Sequence, residues 1–100
     1  MILHINTKDQ KKVEVSLMKD GKIFKTLTED REYGSQVLLP MIEKLLKNSS
    51  LDLKDLKGIE VETGPGSFTG LRVGVSVANS LAYSLGIPVN GKEQETDLVY

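Results

Sequence analysis

The run from Gly64 to Arg72 is the segment whose residue types and spacing best suggest a function. Glycine permits positive φ angles and close approach of another backbone, while Pro65 fixes its own φ and biases Gly64 toward extended geometry. The run therefore predicts a defined turn between a strand and a helix, and a helix N-terminus is able to bind phosphate. It matches neither a Walker A loop nor Gly-x-Gly-x-x-Gly, so contact with a partner is the main alternative. The candidate turn residues are Gly64, Pro65, Gly66, Ser67, Phe68, Thr69, Gly70, Leu71 and Arg72.

Residues able to carry out catalysis are few. His4 is the single histidine, and it lies in the first apolar segment without an evident nucleophile or orienting acid. Ser67 is either a nucleophile or a helix N-cap, and the position before a helix favours the cap. The chain has no cysteine, which removes thiolate metal sites and disulfides. We therefore predict no catalytic residue, no metal site and no enzymatic activity of this chain alone.

Length and charge narrow the class of protein. One hundred residues suit one small domain, and a net charge of −1 gives no general attraction to nucleic acid. No apolar run approaches the ~20 residues of a membrane span, so we predict no membrane association and a cytoplasmic location.

The pattern along the chain predicts the order βββαβαβ, an α/β fold with a mixed five-stranded sheet and helices. Asp20-Gly21 indicates a tight hairpin between the second and third strands, whereas the helical crossovers require parallel strands. Pro40 implies a kink or a helix that begins near Leu38, and 28–33 is predicted to be a charged connection. We predict one domain over 1–91 and a frayed polar tail over 92–100. The predicted strands are 2–5, 13–18, 23–27, 58–63 and 87–90, and the predicted helices are 35–48 and 69–85.

The second predicted helix carries a row of small residues at a spacing of four: Gly70, Gly74, Ala78 and Ala82. Glycine within a helix costs about 0.8–1.0 kcal/mol relative to alanine, so close approach of another backbone is expected there. The row seats either this domain's own sheet or first helix, or a helix of another chain. In the second case a large side chain at Gly74 would prevent pairing without unfolding the domain. The candidate partner surface is Val37, Leu38, Met41, Gly70, Val73, Gly74, Val77 and Ala78.

The segment 63–74 resembles the signature of the TsaB (YeaZ) family, the non-catalytic relatives of TsaD. Ile5-Asn6-Thr7, Leu38-Leu39-Pro40-Met41-Ile42 and the segment 78–88 also resemble parts of that family, so the similarity covers residues 1 to about 91. Three departures stand out. The chain ends at Tyr100, whereas family members have a second half; Asn6 replaces an aspartate; and Tyr33 or Gly34 lies where a polar residue is common.

The resemblance implies a ribonuclease H-like half of the actin, hexokinase and Hsp70 type. It also implies a scaffold role in making threonylcarbamoyladenosine at position 37 of tRNA, by pairing with TsaD through the helices. In that system ATP and metal belong to the partner subunits, TsaE joins the complex, tRNA is met only through the complex, and a homodimer forms when TsaD is absent. A nucleotide- or RNA-binding module that uses the glycine turn and Arg72 is the alternative. A self-associating, reduced family member is a third reading.

Overall fold

The computed structural model describes residues 1–30 and 37–99, and all structural statements below concern that part of the chain. It contains four strands, two α-helices and one short 3-10 helix. Their bounds are β1 (Ile2–Asn6), β2 (Lys12–Lys19), β3 (Lys22–Asp30), α1 (Leu38–Asn48), the 3-10 helix Leu53–Asp55, β4 (Gly58–Val61) and α2 (Phe68–Leu85). None of the described helices is long and apolar enough to cross a membrane.

The sheet has the order β3-β2-β1-β4. β1 pairs antiparallel with β2 and parallel with β4, as the hairpin and the helical crossover require. Asp20 and Gly21 join β2 to β3 with φ angles of 54° and 78°, which is the positive-φ pair that a two-residue hairpin needs. The predicted hairpin is therefore confirmed.

The core lies between one face of the sheet and the two helices. Along β1 the side chains of Leu3 and Ile5 are fully buried, whereas His4 and Asn6 on the other face are only partly buried. The alternation continues across the sheet because Leu3 pairs with Leu17 of β2 and with Ile59 of β4. The helices supply the opposite side of the core through their inward residues, which are Leu38, Met41, Ile42, Leu45 and Leu46 of α1 and Gly70, Leu71, Gly74, Val75, Ala78 and Ala82 of α2.

The predicted fifth strand is not a strand in the structure. Val89 forms one parallel bridge with Ile59, and the described sheet ends with β4. The reason is local: Pro88 has no N–H to donate, and Asn90 and Gly91 have φ angles of 51° and 76° that turn the chain away at once. The order βββαβαβ is therefore wrong in its last element, although Val89 keeps the position that a fifth strand would occupy.

The boundaries of several elements also differ from the prediction, most of them by one or two residues. Residues 28–30, predicted to be part of a connection, belong to β3, and 31–33 lie outside the described residues. The first helix begins at Leu38, so Pro40 is its third residue, where no intrahelical hydrogen bond is lost. Of the two predicted alternatives, a kink at Pro40 or a helix that begins near Leu38, the structure shows the second. Ser35 as a cap, and Tyr33 and Gly34, fall outside the described residues.

The polar segment after Gly91 makes defined contacts. The Glu95 side chain is only 5% exposed, and it accepts hydrogen bonds from Lys92 Nζ and Asn90 Nδ2, both at 2.8 Å. The side-chain amide of Asn79 on α2 bonds both the backbone N–H and the carbonyl oxygen of Glu95, each at 2.8 Å. Burial acts to raise the pKa of Glu95, but the hydrogen bonds from Lys92 and Asn90 outweigh it, so the pKa lies below its ordinary value. The polar tail predicted over 92–100 thus contacts α2 through Glu95.

Candidate functional site

The glycine turn is covered by the chain's own backbone. Gly64 has a φ angle of +113°, and a Cβ atom there would overlap the carbonyl group of Val99. The Val99 N–H donates to the carbonyl oxygen of Thr63 at 2.8 Å, which holds the C-terminal segment against the turn. A Cβ on Gly66 would lie 2.7 Å from the carbonyl oxygen of Lys8. The glycines therefore allow two other backbone segments to approach, and the space beside them is already filled.

The start of α2 is capped by Ser67. Its hydroxyl accepts from the N–H of Gly70 at 3.3 Å, and its own N–H donates to the carbonyl oxygen of Lys8 at 2.9 Å. Ser67 is therefore a cap, as the sequence favoured, and two backbone donors that a phosphate would use are already satisfied. The exposed residues of the turn are Pro65, Phe68, Thr69 and Arg72. The guanidinium carbon of Arg72 lies 5.3 Å from the Phe68 ring centroid.

The small-residue row of α2 faces this domain's own sheet. Gly70, Gly74 and Ala78 are all buried, and the hydroxyl of Thr7, at the end of β1, donates to the carbonyl oxygen of Gly70 at 2.5 Å. A Cβ on Gly74 would overlap the same Thr7 hydroxyl. The first of the two readings of the row is the one that the structure shows. Gly70, Gly74 and Ala78 were predicted to contact a partner, but they are buried inside the domain. A large side chain at Gly74 is therefore expected to disturb the fold itself.

The other predicted interface residues divide into two groups. Leu38 and Met41 are buried in the core, whereas Val37, Val73 and Val77 are partly exposed. Only the second group lies where another chain is able to reach it. Val77 is the member that lines an open groove.

This groove lies between the start of α1 and the outer side of α2. Its volume is about 320 Å³, and we call it the helix groove. Leu39 is 49% exposed there, next to the buried Leu38. The serines of α2 recur at a spacing of four, and that spacing was the signal available in the sequence. The helix groove is lined by Leu39, Ser76, Val77, Ser80, Leu81 and Ser84.

A charged cluster lies at the ends of β1 and β4. Glu62 accepts from Lys8 Nζ at 3.0 Å and lies 3.1 Å from His4 Nε2. Partial burial acts to raise the pKa of Glu62, but the hydrogen bonds from Lys8 and His4 outweigh it and hold the pKa below its ordinary value. His4 is thus a partly buried residue of the sheet's open face. Within residues 1–30 and 37–99 no three His, Cys, Asp or Glu side chains are grouped closely enough to hold a metal ion.

Comparisons with known proteins agree with this fold. Residues 30–91 match the family model described as TsaD, tRNA N6-adenosine threonylcarbamoyltransferase. The protein named tRNA threonylcarbamoyladenosine biosynthesis protein TsaB of Bacillus subtilis is 36% identical over 89 residues, which cover 89% of this chain and 39% of the relative. Its Escherichia coli namesake is 34% identical over 77% of this chain and 33% of its own length.

A solved structure described as YeaZ from Pseudomonas aeruginosa superposes with a TM-score of 0.78 at 31% identity, over 88% of this chain and 41% of that one. With its mixed sheet and capped glycine turn, the chain thus belongs to the class of proteins related to the threonylcarbamoyltransferase TsaD. More narrowly, the chain belongs to the TsaB (YeaZ) family. It spans about a third to two fifths of the length of these relatives.

Proposed function

We propose that this chain is a non-catalytic subunit in the formation of threonylcarbamoyladenosine in tRNA, and that it pairs with a TsaD subunit through the helix groove. Family membership supports the pathway, since the curated relatives carry that process in their names. The geometry of α2 supports the manner of pairing, because the face that is free for a partner lies on its outer side.

The helix groove carries the proposal. Val77 and Leu81 supply apolar walls on α2, and Leu39 supplies the wall on α1. Ser76 and Ser80 lie one turn apart between them, and small side chains at that spacing let the ridge of a second helix approach closely. Partly exposed aliphatic residues beside small polar ones suit a partner helix better than a charged ligand.

The proposal assigns the chemistry to other subunits. TsaD holds the metal and transfers the threonylcarbamoyl group, TsaE joins the complex as an ATPase, and tRNA is met only through the assembled complex. The chain itself takes no cofactor and works in the cytoplasm. Without TsaD, the helix groove of a second copy is the partner, which gives a homodimer.

Co-purification with TsaD from the same organism tests this proposal. Ser80→Arg puts a long cation in the middle of the helix groove at an exposed position, so the fold should be retained. Gln10→Arg adds the same charge on the exposed loop between β1 and β2 and serves as the control. We expect Ser80→Arg to weaken TsaD binding at least tenfold and Gln10→Arg to leave binding unchanged, with identical circular dichroism spectra.

A TsaD complex that tolerates Ser80→Arg as well as Gln10→Arg contradicts pairing through the helix groove. Calorimetry of the chain with ATP, ADP and tRNA separates the scaffold from the alternative binding module. The scaffold predicts no measurable heat of binding by the chain alone. Micromolar binding that Arg72→Ala abolishes would instead favour a nucleotide- or RNA-binding module at the turn.

A further inference from the structure

β3 is an edge strand with apolar side chains in solvent. It is nine residues long, and within the described residues it pairs with β2 on one side only. Ile23 is 58% exposed and Phe24 is 48% exposed. An unpaired strand edge presents backbone donors and acceptors to any second strand of matching register. The order of charges along β3, rather than its exposed apolar residues, decides which strand that is.

The charges of β3 are ordered along its length. Lys25 precedes Glu29 by four residues, and their neighbours directly across β2 are the apolar Leu17 and Val13. The Lys25 ammonium donates to a neutral acceptor, the carbonyl oxygen of Asn48, at 3.3 Å. Neither charge therefore faces an opposite charge across the sheet. Each charge is thus available to an opposite charge on a strand added at the outer edge of β3.

We propose that β3 pairs antiparallel with β3 of a second copy of this chain, with the two-fold axis at Leu27. In this register Lys25 faces Glu29 of the partner subunit, and Glu29 faces Lys25 of the partner subunit. Thr26 faces Thr28 of the partner subunit, and the two Leu27 side chains meet at the axis. Cross-strand pairs of opposite charge and of threonine are favourable in antiparallel sheets. The two four-stranded sheets then form one continuous sheet.

The faces of the sheet agree with this register. Leu27 lies opposite Val15, whose side chain is in the core, so Lys25, Leu27 and Glu29 share the helix-covered face. Thr26 lies opposite Ser16 and points to the other face, and its hydroxyl is 3.0 Å from that of Ser16. The irregularity in the β2–β3 pairing lies at Leu17 and Met18, toward the hairpin, so it leaves the pairing from Lys25 to Glu29 regular.

The proposed surface shares no residue with the helix groove. β3 is the edge of the sheet farthest from β4. The main contacts of α2 with the sheet are to β4 and β1. A dimer formed through β3 therefore leaves the helix groove free. It is distinct from the homodimer of the proposed function.

Sedimentation equilibrium over a concentration series measures the self-association. Lys25→Glu places two glutamates opposite each other twice in the dimer, and Glu29→Lys does the same with lysines. We expect each variant alone to weaken the dimer at least tenfold. An equimolar mixture of the two variants, and the double variant Lys25→Glu/Glu29→Lys, should both restore association, because each again places opposite charges across the axis.

A second pair of variants controls for net charge and folding. Lys44→Glu and Glu43→Lys change the same charges on the exposed side of α1, and they should leave association unchanged alone and in a mixture. A chain that stays monomeric at all concentrations overturns the proposal. A dimer that Lys25→Glu and Lys44→Glu weaken equally overturns it too, as does a dimer that only Ser80→Arg disrupts.

Discussion

Replacement of Gly74 by alanine tests the close contact between α2 and β1. In an exposed helix this change stabilises by about 0.8–1.0 kcal/mol, because alanine has the higher helix propensity. Here the added methyl group would overlap the hydroxyl of Thr7, a residue that is 1% exposed. That hydroxyl also donates to the carbonyl oxygen of Gly70 at 2.5 Å, so it cannot turn away without losing a hydrogen bond. We therefore predict that Gly74→Ala destabilises the domain.

The magnitude follows from three contributions. An extra methyl group in a packed core costs about 1–3 kcal/mol. Loss of the hydrogen bond between Thr7 and Gly70 adds about 1 kcal/mol. The gain in helix propensity offsets about 0.8–1.0 kcal/mol. The net decrease in the free energy of unfolding is about 1–3 kcal/mol, and each kcal/mol corresponds to roughly 4–8 °C in Tm for a domain of this size.

Urea denaturation followed by circular dichroism checks the prediction in two backgrounds. In a Thr7→Ala chain the hydroxyl is absent, so Gly74→Ala should be neutral or stabilise by up to about 1 kcal/mol. The sign of the effect should thus depend on residue 7, which a double-mutant cycle measures directly. Equal effects in both backgrounds, or a stabilised Gly74→Ala in the natural background, would refute the contact.

Three further predictions concern the turn and the segments that hold it. Ser67→Ala removes the cap of α2 and should lower the free energy of unfolding by about 0.5–2 kcal/mol, measured by urea denaturation. The pKa values of Glu62 and Glu95 are lowered in the folded chain, so in acid the unfolded chain binds more protons. The stabilisation from these two carboxylates is therefore full at neutral pH and is lost as pH falls below about 4. Glu95→Gln should reduce the decrease in Tm between neutral and acidic pH, measured by thermal melts. Gly64→Ala should displace the Val99 backbone, seen as faster hydrogen exchange of its amide, and unchanged protection there would contradict the contact.

Local signals in the sequence predicted the parts of the fold that depend on local chemistry. Asp20 and Gly21 form the hairpin because both adopt positive φ angles, and Gly86, at φ 68°, ends α2 in the left-handed conformation. Ser67 caps α2 for an equally local reason, since its hydroxyl reaches the N–H of Gly70. These features need only a few neighbouring residues, so a single sequence is enough to find them.

The errors arise where long-range contacts decide. An apolar stretch around Val89 predicted a strand, but a single bridge to Ile59 leaves too few backbone pairs to continue one. The row through Gly74 correctly predicted a close contact. It did not indicate that Thr7 makes this contact, because Thr7 lies 67 positions away in sequence. The buried state of Glu95 had no signal either, since its partners lie on α2 and in the loop that follows α2.

α2 carries two rows of small residues at a spacing of four, one packed inside the domain and one exposed. The glycine row packs against Thr7 of the same chain, so folding of the domain leaves it inaccessible to a partner. The serine row lies in solvent beside Val77 and Leu81, and serine in a helix is tolerated at little cost when its hydroxyl reaches water or a backbone carbonyl, as Ser84 does with Ser80. Under the proposed pairing, this exposed row would admit a partner helix, whereas the inward row is already packed against Thr7. Because β3 lies elsewhere on the sheet, a chain held by another subunit at the helix groove keeps its edge strand free, and the two modes of association can fail or succeed independently.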